Sequence, residues 1–185
     1  IILITARPYW LPQTILSRCR HIRFNPLPAE TVARFLNEQK QMDSSKASLL
    51  ASLSGGSIGQ ALELDSEDMI AFRAELGRLL SAASASDPLS LLTFSSFLGQ
   101  DKKEIKQGLK ILNTYFRDAL VYQETKQSSM LINANDLPVV SSLSGRLSGG
   151  QILQNIALVD QSAELIEMNE NKSLTLEAMA FKLSV

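Results

Sequence analysis

The residues whose types and spacing could do chemistry stand close together near the front of the chain: Ser17, Arg18, Cys19 and His21. A serine or cysteine nucleophile needs a base within hydrogen-bond reach and a third group to orient that base. His21 is the one histidine, and on the extended segment expected for residues 20–24 it is aimed away from the helix end that carries Cys19. Cys19 therefore reads as a small apolar packer. One Cys and one His fall short of the four ligands a structural zinc site takes. Arg18 is different. A guanidinium at the edge of an α/β domain stabilises charge on a γ-phosphate presented by another chain, an effect of roughly 10³–10⁵ in rate where it is used. By residue type alone, a surface or ion-paired arginine is the leading reading.

The elements that must position Arg18 follow from the residues around it. Ile1-Ile2-Leu3-Ile4-Thr5 is a continuous aliphatic run, the pattern of a strand buried on both faces of a parallel sheet. Pro8 biases Arg7 away from helix. Leu11-Pro12 opens a short helix that carries Ile15 and Leu16 inward and ends near Cys19. Residues 20–24 alternate, with His21 and Arg23 outward and Ile22 and Phe24 inward, and are expected as a second strand. Asn25-Pro26-Leu27-Pro28 is a stop and a linker. One parallel strand cannot form a sheet alone, and the chain opens without methionine. It is expected to be a carboxy-terminal piece cut inside an α/β domain.

Composition sets outer limits. The 185 residues have ordinary globular proportions, 45% hydrophobic and 20% charged, and a formal net charge of −1. That balance argues against a protein that grips nucleic acid over its whole surface. The charge is uneven: residues 1–29 hold Arg7, Arg18, Arg20 and Arg23 and no acid, so a basic front precedes an acidic body. A single cysteine allows no internal disulfide and fits a reducing compartment, so the expected location is the cytoplasm. No apolar run reaches the roughly 20 residues that span a bilayer.

From Pro28 onward the periodicity is helical throughout, so the expected class is mainly α. The expected division is 1–27, 28–64 and 65–185. The first helix, 29–41, carries Val32, Phe35 and Leu36. The next opens at Ser44 or Ser45 and places Ala47, Leu50 and Leu53 on one face. Gly55-Gly56 ends it in a left-handed cap, and Ser57 caps a short third helix. Ser66 is expected to cap a helix bearing Met69, Arg73, Leu76, Leu80 and Ala83. Asp87-Pro88 opens another that runs to Gly99. Asp101 caps the longest, with Ile105, Leu109, Leu112, Phe116 and Leu120 inward and Ile111, Tyr115 and Tyr122 widening that face. Residues 125–147 read as irregular, with a short helix near 139–143. Ser148 caps a helix with Ile152, Ile156, Val159, Ala163 and Ile166. Ser173 is expected to cap the last, which carries Leu174, Ala178 and Phe181.

Ile2-Leu3-Ile4-Thr5-Ala6, Thr14-Ile15-Leu16-Ser17-Arg18-Cys19 and Ile22-Arg23-Phe24-Asn25-Pro26-Leu27-Pro28 together resemble the clamp-loader branch of the AAA+ ATPases. The resemblance implies a first-sensor strand followed by a helix ending in Ser-Arg-Cys. Thr5 then stands at or beside the first-sensor position, and Arg18 acts in trans as an arginine finger, with Ser17 and Cys19 completing the motif. It also implies that 1–27 ends an AAA+ core and that 28–64 is a three-helix lid. Tyr115-Phe116-Arg117-Asp118-Ala119-Leu120 and Asn169-Glu170-Asn171 resemble the helical collar of bacterial clamp-loader subunits, which makes 65–185 the oligomerising collar. Subunits that hydrolyse ATP usually carry a second-sensor arginine in a Gly-Ser-Ile-Arg-like sequence, whereas Gly56-Ser57-Ile58-Gly59 has glycine there.

A finger without a second sensor resembles the delta prime type of subunit in the bacterial DNA polymerase III clamp loader. That implies no cofactor or metal of its own, ATP bound by a neighbouring subunit, and other clamp-loader subunits, the sliding clamp and primed DNA as partners. No activity is expected of the piece alone. Two alternatives stay open: an ATP-hydrolysing gamma/tau-type subunit, and a helical scaffold with no nucleotide partner. Leu147-Ser148-Gly149-Gly150-Gln151 spells the signature of ABC transporter ATPases, but no phosphate loop accompanies it, and a loop followed by a helix cap at Ser148 accounts for it.

Overall fold

A computed structural model describes residues 2–5, 8–64 and 67–185. Among them there is no β-strand, and helices follow one another with short connections from residue 29 to residue 182. The mainly α expectation holds. The two expected strands do not form: residues 2–5 and 20–24 are irregular and exposed. Ile4 is 94% exposed and Phe24 90%, so the inward assignment of Ile22 and Phe24 fails as well. The physical reason is partnership. Strand N–H and C=O groups need a neighbouring strand, and none stands beside them among the described residues. Between these segments α1 (Gln13–Leu16) keeps its helical turn but buries no side chain. Ile1 and the exit at Ala6-Arg7 lie outside the described residues, as does the expected cap at Ser66.

α2 (Ala29–Lys40), α3 (Ser44–Leu53) and α4 (Ile58–Glu63) close on a small core of Val32, Leu36, Ala47, Leu50, Leu53 and Ala61. Glu30 in the first turn of α2 and Lys40 in its last complement the helix dipole. Gly55 (φ +60°) and Gly56 (φ +82°) turn the chain out of α3 in the left-handed region. Ser57 Oγ then accepts from the Gln60 N–H at 3.3 Å and caps α4.

The larger core gathers α5 (Glu67–Ala82), α6 (Pro88–Phe97), α7 (Lys102–Thr125), α8 (Leu137–Arg146), α9 (Gly149–Glu167) and α10 (Lys172–Lys182). Asp87 caps α6 with Pro88 at its first position. Asp101 and Glu104 form a capping box at α7. The long α7 is the axis of this unit, packed on α8 and α9, while α6 packs on α10. Ile105, Leu109, Leu112 and Phe116 are buried, and so are Ile111 and Tyr115, which gives α7 the wide apolar face expected of a helix between helices. Fully burying each such side chain contributes about 1.5–3 kcal/mol.

Two expectations about the helices need correction as well. α8 is longer than the short helix read at 139–143, because Pro138 serves as a helix-opening residue rather than a break. α10 is capped by Asn171, whose Oδ1 accepts from the Leu174 N–H at 3.0 Å, not by Ser173. The earlier start puts Leu176, Met179, Ala180 and Leu183 in the core and leaves Leu174 and Phe181 exposed. Met69 packs against both cores, and Ile132, from the connection between α7 and α8, packs against the smaller one.

Candidate functional site

Arg18 follows directly on α1. The Ser17 N–H donates to Gln13 O at 2.9 Å, the Arg18 N–H to Ile15 O at 3.1 Å and the Cys19 N–H to Leu16 O at 3.3 Å. These bonds hold the Ser-Arg-Cys triplet in one continuous turn, and Ser17 Oγ adds a long contact of 3.4 Å to Thr14 O. Arg18 is exposed and makes no side-chain hydrogen bond or ion pair among the described residues. Cys19 is a free, exposed thiol rather than a buried packer. His21 is exposed too. Thr5 is exposed and lies in the irregular segment ahead of the turn.

The arm carrying Arg18 is tied to the turn between α3 and α4. The Leu27 N–H donates to Gly56 O at 3.0 Å. A Cβ on Gly56 would lie 2.5 Å from Leu27 O and 2.7 Å from Leu27 N. Gly56 is therefore required twice, by its positive φ and by the backbone pressed against it. Gly59 is the opposite case: a Cβ there would meet only Ser57 Oγ, at 3.9 Å. Packing around α4 does not exclude a side chain at that position.

A second feature lay largely outside sequence reasoning. Asp118, wholly buried on α7, accepts from the Asn133 backbone N–H at 2.6 Å and from Asn133 Nδ2 at 2.8 Å. Its other oxygen accepts from Arg117 Nη1 at 2.7 Å, and Arg117 also reaches Met130 O at 3.0 Å. Arg73 Nε, on α5, donates to Asn133 Oδ1 at 3.1 Å. Arg73 Nη2 sits 3.0 Å from Asp136 Oδ2, an ion pair by distance without hydrogen-bond geometry. Tyr115 Oη donates to that same Asp136 oxygen at 2.7 Å. Burial, and then the bond to Asp136, push the Tyr115 phenol well above its usual range. The network pins the connection 128–136 onto α7 and α5, and with it the neighbouring Ile132. One signal for it was present in the sequence: Arg73 falls on the apolar stripe of α5, and a cation in that register requires partners. Asn133 and Asp136 gave none.

Ser148, in the Leu-Ser-Gly-Gly-Gln stretch, caps α9 in a box with Gln151, as the helix-cap reading has it. Among the described residues no three His, Cys, Asp or Glu side chains converge as metal ligands, and no helix is long and apolar enough to cross a membrane.

Residues 67–184 match the family described as DNA polymerase III, delta subunit, C terminal. The chain belongs to that family. The match takes in α5 to α10 and the buried network of Arg73, Tyr115, Asp118 and Asn133, while the arm with Arg18 and α2 to α4 fall outside it. Within this family context the Tyr-Phe-Arg-Asp run on α7 acquires a structural reason: Tyr115, Arg117 and Asp118 each hold part of the connection that follows. The chain is also similar to the DNA polymerase III subunit tau of Bacillus subtilis (strain 168), 25% identical over 66% of this chain. It spans about a quarter, 26%, of that relative's length.

Proposed function

We propose that this chain belongs to a delta prime type clamp-loader subunit, which does not hydrolyse ATP itself. In this reading residues 1–27 end an AAA+ core, 28–64 are its lid and 65–185 its collar. Arg18 is the finger, lent to ATP on a neighbouring subunit, with Ser17, Cys19 and Thr5 in supporting positions. The collar joins other clamp-loader subunits, and the cytoplasmic assembly loads a sliding clamp on primed DNA. The chain holds no nucleotide or metal of its own for this work.

The observation that carries the reading is Arg18 itself. It is exposed, has no intramolecular polar partner among the described residues, and stands at the end of a helix in a chain whose body belongs to a DNA polymerase III subunit family. A guanidinium so placed needs no rearrangement to meet a phosphate supplied from outside. Gly59 supports the non-hydrolysing assignment, because the lid has room for a side chain there and carries none.

A second reading, an ATP-hydrolysing tau-type subunit, is favoured by the Bacillus relative. Reconstitution separates the readings. With Arg18→Ala in the full-length subunit, clamp-dependent ATP hydrolysis by the assembly falls at least about tenfold while the assembly itself survives. The full-length subunit alone binds no ATP under the first reading and binds it under the second. Unchanged turnover in an intact assembly would sink the finger assignment and leave a helical scaffold.

A further inference from the structure

A cleft of about 440 Å³ opens between the lid and the long collar helix. Leu53, Leu64 and Ile111 give it an apolar floor. Four lysines of α7, Lys102, Lys103, Lys106 and Lys110, also line it. Three of them, Lys102, Lys106 and Lys110, recur every fourth residue, so their Cα atoms are spaced about 6 Å apart along one face.

The carboxylates lining the cleft are Glu63 and Glu167, so cations outnumber anions by two to one. Lys102 pairs with Glu167 at 3.3 Å, Lys106 pairs with the same carboxylate, and Lys103 reaches Glu63 at 3.4 Å. Lys110 stands apart. Its ammonium donates to the neutral amide oxygen of Gln60 across the cleft and meets no carboxylate among the described residues. Desolvation between lid and collar holds its pKa below the usual lysine value. Lys110 is exposed and carries no counter-charge, so an anion arriving from solution meets it without first breaking an ion pair. Lysine serves phosphate as a point charge with freely rotating donors, and a line of such charges suits a line of anionic groups better than a single carboxylate.

We propose that this lid–collar cleft binds a multivalent phosphate anion, held chiefly by Lys106 and Lys110. The ligand would compete with Glu167 for Lys106 and with Gln60 for Lys110, so its occupancy would alter the polar bridge between lid and collar.

Calorimetric titration of the 185-residue chain at low salt tests this, with sodium tripolyphosphate as the free-anion probe and a short oligothymidylate as the nucleic-acid probe. Saturable binding of either supports the proposal, and the tighter of the two identifies the source of the phosphate. Lys106→Gln with Lys110→Gln weakens that binding at least about tenfold, the loss expected for charge-assisted bonds. Lys182→Gln, outside the cleft on α10, leaves it unchanged. Gln60→Glu sets a carboxylate beside Lys110 and weakens binding without removing a lysine, which keeps the test intact if the double variant folds poorly. The proposal is overturned if neither probe binds saturably, if Lys182→Gln costs as much as the cleft variants, or if both cleft variants bind as the parent does.

Discussion

The Leu27 N–H donates to the Gly56 carbonyl at 3.0 Å, and this bond sets the arm bearing Arg18 against the turn that leads into α4. Gly56→Ala forces a Cβ to 2.5 Å from Leu27 O at a φ of +82°. The expected loss is more than the roughly 1 kcal/mol of left-handed strain alone, because backbone must also move. Gly59→Ala has the opposite sign, a gain of about 0.8–1.0 kcal/mol at most from helix propensity, since space is open there. Urea unfolding of the two variants checks both. Equal midpoints would remove the argument.

Asp118 is wholly buried. Asp118→Ala leaves the Asn133 N–H, its Nδ2 and the Arg117 guanidinium without their shared acceptor. The expected cost is about 3 kcal/mol or more, read as a lower unfolding midpoint. Hydrogen exchange of the Asn133 amide speeds up in the same variant. Exchange as slow as in the parent would show that the connection is held by something else.

The Tyr115 phenol gives a pH signature. Its folded pKa is raised above the ordinary tyrosine value of 10.0, so its contribution to stability is full below pH 10 and is lost as pH rises through the folded value. Tyrosinate absorbance should therefore show a component that appears only with alkaline unfolding. Tyr115→Phe removes that component and also leaves Asp136 without one donor. A Tyr115 that ionises in the folded chain at its ordinary value contradicts the packing described.

The register of α10 is testable by two substitutions. Leu176 is buried, and Leu176→Ala is expected to cost about 2–5 kcal/mol. Phe181 is 51% exposed, and Phe181→Ser is expected to stay within about 0.5 kcal/mol of the parent. Thermal unfolding decides between this register and the one that begins at Ser173, which predicts the reverse order.

Glu167 ties the proposed anion cleft to acid behaviour. Hydrogen bonds from Lys106 and then Lys102 hold its carboxyl below the ordinary glutamate value of 4.5. Its contribution is present above the unfolded value and fades as pH falls through the folded one. An NMR titration of the Glu167 side chain gives a midpoint under 4.5, and Lys106→Gln moves it up toward that value.

Local chemistry in the sequence determined most of the helices. Asp87-Pro88, Asp101 with Glu104, Ser148 with Gln151 and Ser57 each offer a side-chain oxygen to an orphan helix N–H, and each cap forms where its residues stand. The 3–4 spacing of Ile105, Leu109, Leu112 and Phe116 likewise marks the buried face of α7 before any packing is known. Arg18 is singled out in the sequence by its motif, and in the fold it is exposed. Elsewhere the sequence was silent or misleading, because the deciding groups are far apart in the chain. Residues 2–5 and 20–24 have strand-like patterns, yet strands exist only with neighbours to bond to. Asn171 and Ser173 are both competent caps, and only the contact of α10 with α6 and α9 chooses the register. Arg73, Asp118, Asn133 and Asp136 come from separate elements, and the lysines of α7 face Gln60 and Glu63 only because the fold brings α4 beside them. These relationships are electrostatic and long-range, so tertiary packing alone decided them.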